Sequence, residues 1–295
     1  MALLSPELLQ KLARLRLGSR RRVPSAADGA QRSRRRGQSQ EFLDHRPYVP
    51  GDDLRFLDWH LYGRLDSLWI KLFEEERDRT VQLLVDCSGS MEGGKLTIAR
   101  ELAAALGFVA LGGTDRVSVT AVDDALRAYA PPARGRRAAP RVFEALEAVN
   151  PGASTQLDAA LARMPRPRGG GVGVLFTDAF YPGEPGEALH APMERALRRL
   201  RGLGLELHLV HLLDPVDVRP ALDGDVRLID RETGEEVDLT IDPDVLDRYE
   251  QTVRAWAADL EALCARLGVG YVRLLSTASV EQVLLRDLRR LGLIT

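Results

Sequence analysis

The chain has 295 residues, 45% hydrophobic and 28% charged, with a net charge of −2. Those values fit a globular protein able to build a substantial core, and they exclude a chain disordered throughout or one devoted chiefly to nucleic acid. Two cysteines far apart, Cys87 and Cys264, offer neither a disulfide framework nor a zinc-ligand spacing, as in a reducing compartment.

Residues 5 to 17 place Leu8, Leu9, Leu12 and Leu15 at helical spacing behind Ser5-Pro6-Glu7, which predicts a short amphipathic helix. A basic stretch follows, with Arg20, Arg21, Arg22 and then Arg34, Arg35, Arg36 in runs. It reads as a solvated arm over residues 1–37 together with the helix; no aromatic residues interleave it, so nucleic acid is not expected as a partner, and any membrane contact through it is peripheral. Residues 38–79 gather Tyr48, Phe56, Trp59, Tyr62, Trp69 and Phe73 into a small aromatic-rich N-terminal unit, with a strand expected over residues 67–73. There is no apolar run long enough to span a bilayer and no signal-peptide order at the start, so a cytoplasmic location is expected.

From residue 80 to 295 apolar strands alternate with amphipathic helices, the signature of a mainly parallel sheet with helices on both faces. Strands are predicted at 81–85, 116–122, 125–130, 171–177, 205–212 and 271–275. Helices are predicted at 95–111, 137–149, 155–164, 187–203, 244–267 and 280–291. Residues 225–241 break the alternation: Val226-Arg227-Leu228-Ile229 and Glu236-Val237-Asp238-Leu239 flank Glu232-Thr233-Gly234-Glu235, which predicts an inserted β-hairpin.

The most informative residues are Asp86-Cys87-Ser88-Gly89-Ser90-Met91, directly after the first apolar run. In an open parallel sheet the carboxyl ends of the strands face the ligand crevice, so Asp86, Ser88 and Ser90 fall where chemistry is expected. Alternate residues point one carboxylate and two hydroxyls at a common centre, hard oxygen donors that suit Mg2+, with Mn2+ or Ca2+ as substitutes. Two other loops follow suit, with Thr155 ahead of one helix and Asp178 at the end of the 171–177 strand. Cys87 between the ligands reads as a buried thiol facing away.

Asp-x-Ser-x-Ser, then a loop threonine, then a strand-end aspartate resembles the metal ion-dependent adhesion site of von Willebrand factor type A domains. Upstream, Arg46-Pro47-Tyr48-Val49-Pro50-Gly51-Asp52-Asp53-Leu54-Arg55, then Asp58-Trp59 and Lys71-Leu72-Phe73-Glu74, is similar to the signature of the bacterial domain of unknown function 58 family, in which it precedes a type A domain. The resemblance implies a von Willebrand factor type A-like (Rossmann-like) fold. It also implies roles: Ser88 and Ser90 bind the ion directly, Thr155 directly or through a water, and Asp86 and Asp178 mostly through waters. An ion so held keeps positive character and takes a Glu or Asp of another protein. The same resemblance implies a MoxR-type AAA+ ATPase partner and a client protein supplying the acidic ligand, in chaperone-like assembly or maturation.

The chain has no Gly-x-x-x-x-Gly-Lys-Ser/Thr loop of its own, so any ATP-driven work must come from a partner; together with the ion-ligand set, this reads as an adaptor and not an enzyme. Two alternatives stay open. A Mg2+-dependent phosphatase would use Asp86 as nucleophile but needs a second acid two residues on, where Ser88 stands; a scaffold would leave the site unused. Arg46, Asp52, Asp53, Arg55 and Asp58 are expected to form a buried ion-pair network fastening the N-terminal unit to the larger domain. His45, His60, His190, His208 and His211 show no catalytic spacing and are read as structural.

Overall fold

A computed structural model describes residues 3–18, 41–74, 79–123, 126–152, 157–164, 166–167, 170–181, 186–229 and 236–295. They divide into two compact units, residues 3–18 with 79–295, and residues 41–74. The arginine runs lie outside the described residues.

Helix α1 (Pro6–Leu12) begins where Ser5 Oγ accepts the Leu8 N–H at 3.2 Å and Pro6 presets the first turn. The leucine period predicts a helix to residue 17, but the helix ends at Leu12. The reason is long-range pairing: Thr295 N–H donates to Arg16 O at 2.9 Å and Gly18 N–H to Leu293 O at 3.0 Å, so the segment is pulled out against the C-terminus. Leu12 is buried in the main core, and Lys11 Nζ meets Glu281 at 2.6 Å.

The smaller unit pairs β1 (Glu41–Pro47) antiparallel with β2 (Trp69–Glu74), connected through α2 (Trp59–Leu65). Asp58 organises it. One carboxylate oxygen accepts the His60 and Leu61 N–H groups at 2.9 and 3.1 Å and so caps α2; the other meets His45 Nε2 at 2.8 Å and Lys71 Nζ at 3.4 Å. Arg46 makes a bidentate pair with Asp52, both contacts 2.7 Å, whereas Arg55 pairs with Asp53 in open solvent. The expected burial is corrected for one pair, Arg55 with Asp53, which is exposed; a turn that brings Asp52 and Asp53 round supplies each arginine a local carboxylate.

The larger unit is built on a six-stranded sheet, in the order β10-β7-β6-β3-β4-β5. Its strands are β3 (Thr80–Asp86), β4 (Arg116–Val122), β5 (Leu126–Arg134), β6 (Gly171–Thr177), β7 (Leu205–Leu213) and β10 (Gly270–Leu275). All pairs are parallel except β4 with β5, which runs antiparallel at the edge. Counted within the sheet, the first strand sits centrally and the order reverses between β3 and β6, the doubly wound arrangement. The fold is von Willebrand factor type A-like α/β.

The alternation along β3 divides two cores. Leu83 and Val85 face the core shared with α1, α3 (Gly94–Leu111) and α4 (Ala139–Glu147), while Leu84 faces the core shared with α5 (Leu157–Leu161), α6 (Ala191–Gly202) and α8 (Pro243–Leu267). Every residue of β3 is buried, as expected of a strand covered on both faces. Helix α6 starts four residues later than the periodicity predicts, with Pro192 in its first turn. The last predicted helix is a short turn, α9 (Val280–Gln282), continued by a π-helical stretch over Val283–Leu288.

Between β7 and α8 the chain inserts a short helix, α7 (Pro215–Val218), and an antiparallel hairpin of β8 (Gly224–Ile229) and β9 (Glu236–Ile241). Its pairing places Val226 opposite Leu239 and Leu228 opposite Val237, four aliphatics on one face, with Arg227 and Asp238 paired on the other at 2.8 Å. Among the described residues no helix is long and apolar enough to cross a membrane.

Because Leu12 joins the main core, Leu12→Ala is expected to destabilise the larger unit by about 2–4 kcal/mol. Urea unfolding followed by tryptophan fluorescence measures this; a change under about 0.5 kcal/mol would show that α1 is not part of that core.

Candidate metal centre

Strand β3 delivers Asp86 to the carboxyl edge of the sheet, beside the point where strand order reverses. Its carboxylate is fully buried and both oxygens are engaged. Oδ1 accepts the Ser88 N–H at 2.9 Å, and Oδ2 accepts from Thr177 Oγ1 and Tyr181 OH, each at 2.6 Å. Burial, and then repulsion from nearby Asp178, push the Asp86 pKa up to about 6 against the pull of those three donors. Burial and the adjacent Asp86 likewise hold the Tyr181 phenol well above its ordinary value, so Tyr181 stays a protonated donor.

The bond from Asp86 to the Ser88 amide shapes the turn that follows. Ser88 and Ser90 are thereby brought side by side, their Oγ atoms 3.0 Å apart. Ser88 is buried and Ser90 half-buried, so the pair opens outward on one side. The thiol between them, Cys87, packs into the core and reaches the Val122 carbonyl at 3.5 Å, facing away from the hydroxyls as expected.

Strand β6 delivers Asp178, fully buried, with Oδ1 accepting the Phe180 N–H at 3.2 Å and Oδ2 held by Lys95 Nζ at 2.8 Å. Between them Ala179 takes φ +58, a left-handed conformation uncommon for alanine, stabilised by its N–H donating to Thr177 Oγ1 at 2.9 Å. The third loop arrives as well. Gly152 N–H donates to Cys87 O at 2.6 Å, and a Cβ at Gly152 would sit 2.9 Å from Asp123 Oδ2, so a larger residue here would have to displace that carboxylate. Thr155 lies outside the described residues.

The donors present fit a hard divalent cation. Two oxygens on adjacent corners of an octahedron with bonds of about 2.1 Å stand about 3 Å apart, the spacing of Ser88 Oγ and Ser90 Oγ. Among the described residues no group of three or more His, Cys, Asp or Glu side chains is arranged to hold a metal. Asp86 and Asp178 are tied up by protein donors, which suits action at one remove from an ion.

Several residues at this edge escape the motif. Thr177 and Tyr181 hold Asp86; Asp123 closes the end of β4 beside Gly152 and pairs with Arg127 at 2.8 Å; Lys95 bridges Asp178 and, at 3.0 Å, Asp217. Lys95 carried a readable signal. It falls in register with Ala99, Leu102 and Leu106 on the buried stripe of α3, where a charged residue needs a partner. His211, at the end of β7, is buried against Trp256 and Tyr271; burial, then nearby Arg273, lower its pKa to about 3, so it is neutral and packed.

The raised pKa of Asp86 carries a signed consequence. The native state binds the proton more tightly than the unfolded chain, so the stabilisation by the protonated form is complete below about pH 4 and disappears as pH rises through about 6. In EDTA, wild type is expected to lose about 2–3 kcal/mol relative to Asp86→Asn between those pH values. Chemical denaturation of both proteins at several pH values measures the difference; a pH-independent gap would contradict the burial of an ionisable Asp86.

The chain is similar to several known proteins. A match to the family described as Protein of unknown function DUF58 spans residues 44–259. Uncharacterized proteins of Mycobacterium tuberculosis and Mycobacterium bovis are each 27% identical over 266 residues, covering 86% of this chain and 80% of theirs. Among solved structures, the conserved hypothetical protein BatB from Bacteroides thetaiotaomicron aligns with a TM-score of 0.42 at 13% identity, covering 72% of this chain and 98% of that one. A von Willebrand factor type A protein from Catenulispora acidiphila aligns with a TM-score of 0.38 at 14% identity, covering 76% and 43%. With 44–259 matched and the type A-like sheet order in place, the chain belongs to the DUF58 family.

Proposed function

We propose that this protein is a metal-dependent protein-interaction adaptor, not an enzyme, which uses Ser88, Ser90 and Thr155 to hold Mg2+ and a partner's carboxylate to complete the site. A bound divalent cation supplies an electrophilic position that an incoming Glu or Asp can fill. The observation that carries this reading is the division of labour between oxygens: the two hydroxyls lie 3.0 Å apart, while Asp86 and Asp178 are occupied by Thr177, Tyr181 and Lys95. Neutral donors leave a dication's charge largely uncompensated, and an uncompensated cation seeks an external anion.

Asp86 is poorly placed to act as a phosphatase nucleophile. Its oxygens are buried and bonded, and the residue two positions on is Ser88, which cannot serve as the general acid. The partner class follows from the family resemblance: a MoxR-type AAA+ ATPase, with a client that contributes the acidic ligand in chaperone-like assembly, in the cytoplasm. The absence of a phosphate loop from the chain makes an ATPase partner the source of any mechanical work. Mn2+ and Ca2+ present the same hardness and are expected to substitute for Mg2+.

Ser88→Ala and Ser90→Ala each remove one hydroxyl with little change in volume. Each is expected to weaken Mg2+ binding by about tenfold or more, as removal of a metal ligand does, without lowering the unfolding midpoint in EDTA. Calorimetric titration in the presence of a short acidic peptide, together with co-purification of the ATPase with and without EDTA, makes the test. Binding and co-purification equal to wild type in both variants would refute the ion-bridged adaptor.

A further inference from the structure

Lys95 is the buried cation of this molecule's sheet edge, and its surroundings link two features that the adaptor reading leaves separate. It stands in the first turn of α3, where the helix end is itself positive and a lysine is disfavoured. Its side chain is 4% exposed. Nζ lies 2.8 Å from Asp178 Oδ2, 3.0 Å from Asp217 Oδ2 and 5.6 Å from the centre of the Phe180 ring. Asp178 belongs to the ion site; Asp217 belongs to α7, the base of the inserted hairpin.

That base is held by bonds within α7 and to α8. Asp217 Oδ2 also accepts the Asp214 N–H at 2.8 Å, Tyr249 OH donates to Asp217 O at 2.9 Å, and Arg219 reaches Glu250 at 2.9 Å. The approach of the insertion to α3 is tight: a Cβ on Gly94 would lie 3.0 Å from both Asp214 Oδ1 and Ser276 Oγ. A single ammonium thus shares its donors between a carboxylate of the ion site and the carboxylate at the foot of a hairpin with four aliphatics on one face.

We propose that Lys95 is a positioning residue that keeps the ion site short of negative charge and couples the state of that site to the hairpin-bearing insertion, residues 214–242. This rests on the adaptor reading above. Lys95 offsets part of the charge of the two buried carboxylates, Asp86 and Asp178, so a dication beside them is less compensated than it would be without the ammonium and draws an incoming carboxylate more strongly. A cation near Asp178 draws on that carboxylate and repels the ammonium, which shifts Lys95 toward Asp217 and tightens the insertion base. By reciprocity, a partner that steadies the hairpin strengthens the hold on the ion.

Hydrogen exchange read by mass spectrometry on the full chain, in EDTA and in saturating Mg2+, alongside calorimetric Mg2+ titration, tests this. In wild type, Mg2+ binds and slows exchange over 214–229 and 236–241 by about threefold or more. Lys95→Met binds Mg2+ more tightly, by about tenfold or more because a repelling charge is gone, and loses the metal-dependent slowing. Asp217→Asn leaves Lys95 on Asp178 and loses only the slowing, so the coupling stays testable even if Lys95→Met fails to fold. Wild type that binds Mg2+ without any change over those segments overturns the proposal, as does a folded Lys95→Met that binds Mg2+ more weakly than wild type. Wild type that binds no Mg2+, even with acidic peptide, overturns the ion reading itself, a result distinct from failed coupling.

Discussion

The hydrogen bond between Asp86 Oδ1 and the Ser88 amide is the contact on which the rest of the site depends. A strand that ends in a buried carboxylate must satisfy that group at once, and here the first donor is the backbone two residues on. The turn it forces sets Ser88 and Ser90 side by side. Had Asp86 faced solvent, nothing would hold the two hydroxyls at one spacing. The opposite oxygen is met by Thr177 and Tyr181 from the neighbouring strand's end, so β3 and β6 are joined at the carboxyl edge by hydroxyls as well as by their ladder.

Charge is distributed with the same economy. Asp178 is near enough to disfavour the ionisation of Asp86, and Lys95 pairs with Asp178 from the other side. Burial by itself would pull the Lys95 ammonium down, but Asp178 and Asp217 outweigh it and the group stays protonated. A buried ion pair of this kind contributes little net stability, since desolvation offsets most of the attraction. Its value lies in specificity, because it fixes where a negative charge can and cannot be spared for a metal or a partner.

Much of this was readable from residue order. Arg116–Val122 and Gly171–Thr177 coincide with their predicted strands, the first marked by valines and alanine alternating with polar residues and the second by a nearly continuous apolar run. The Asp86, Ser88, Ser90 turn and Asp178 fall at strand ends, where the topology sends ligand-binding groups. What escaped depends on contacts distant in sequence. The end of α1 is set by pairing with Leu293 and Thr295; β1 is a strand because β2 pairs with it, in spite of its polar residues; and β5 runs antiparallel, a direction no local period encodes. Tyr181 was missed because it looks ordinary alone and only the fold brings it to Asp86; Lys95 stands out as a charge on an otherwise apolar helix stripe, but its partner Asp178 is distant in sequence.

In the proposed site, neutral hydroxyls, with the carboxylates held back, form the direct cradle of a divalent ion. Anomalous diffraction from crystals of the full chain soaked in Mn2+ tests this. A peak is expected within about 2.2 Å of both Ser88 Oγ and Ser90 Oγ, with Asp86 still bonded to Thr177 and Tyr181. A peak bonded directly to the Asp86 and Asp178 carboxylates, or none at this edge, would contradict it.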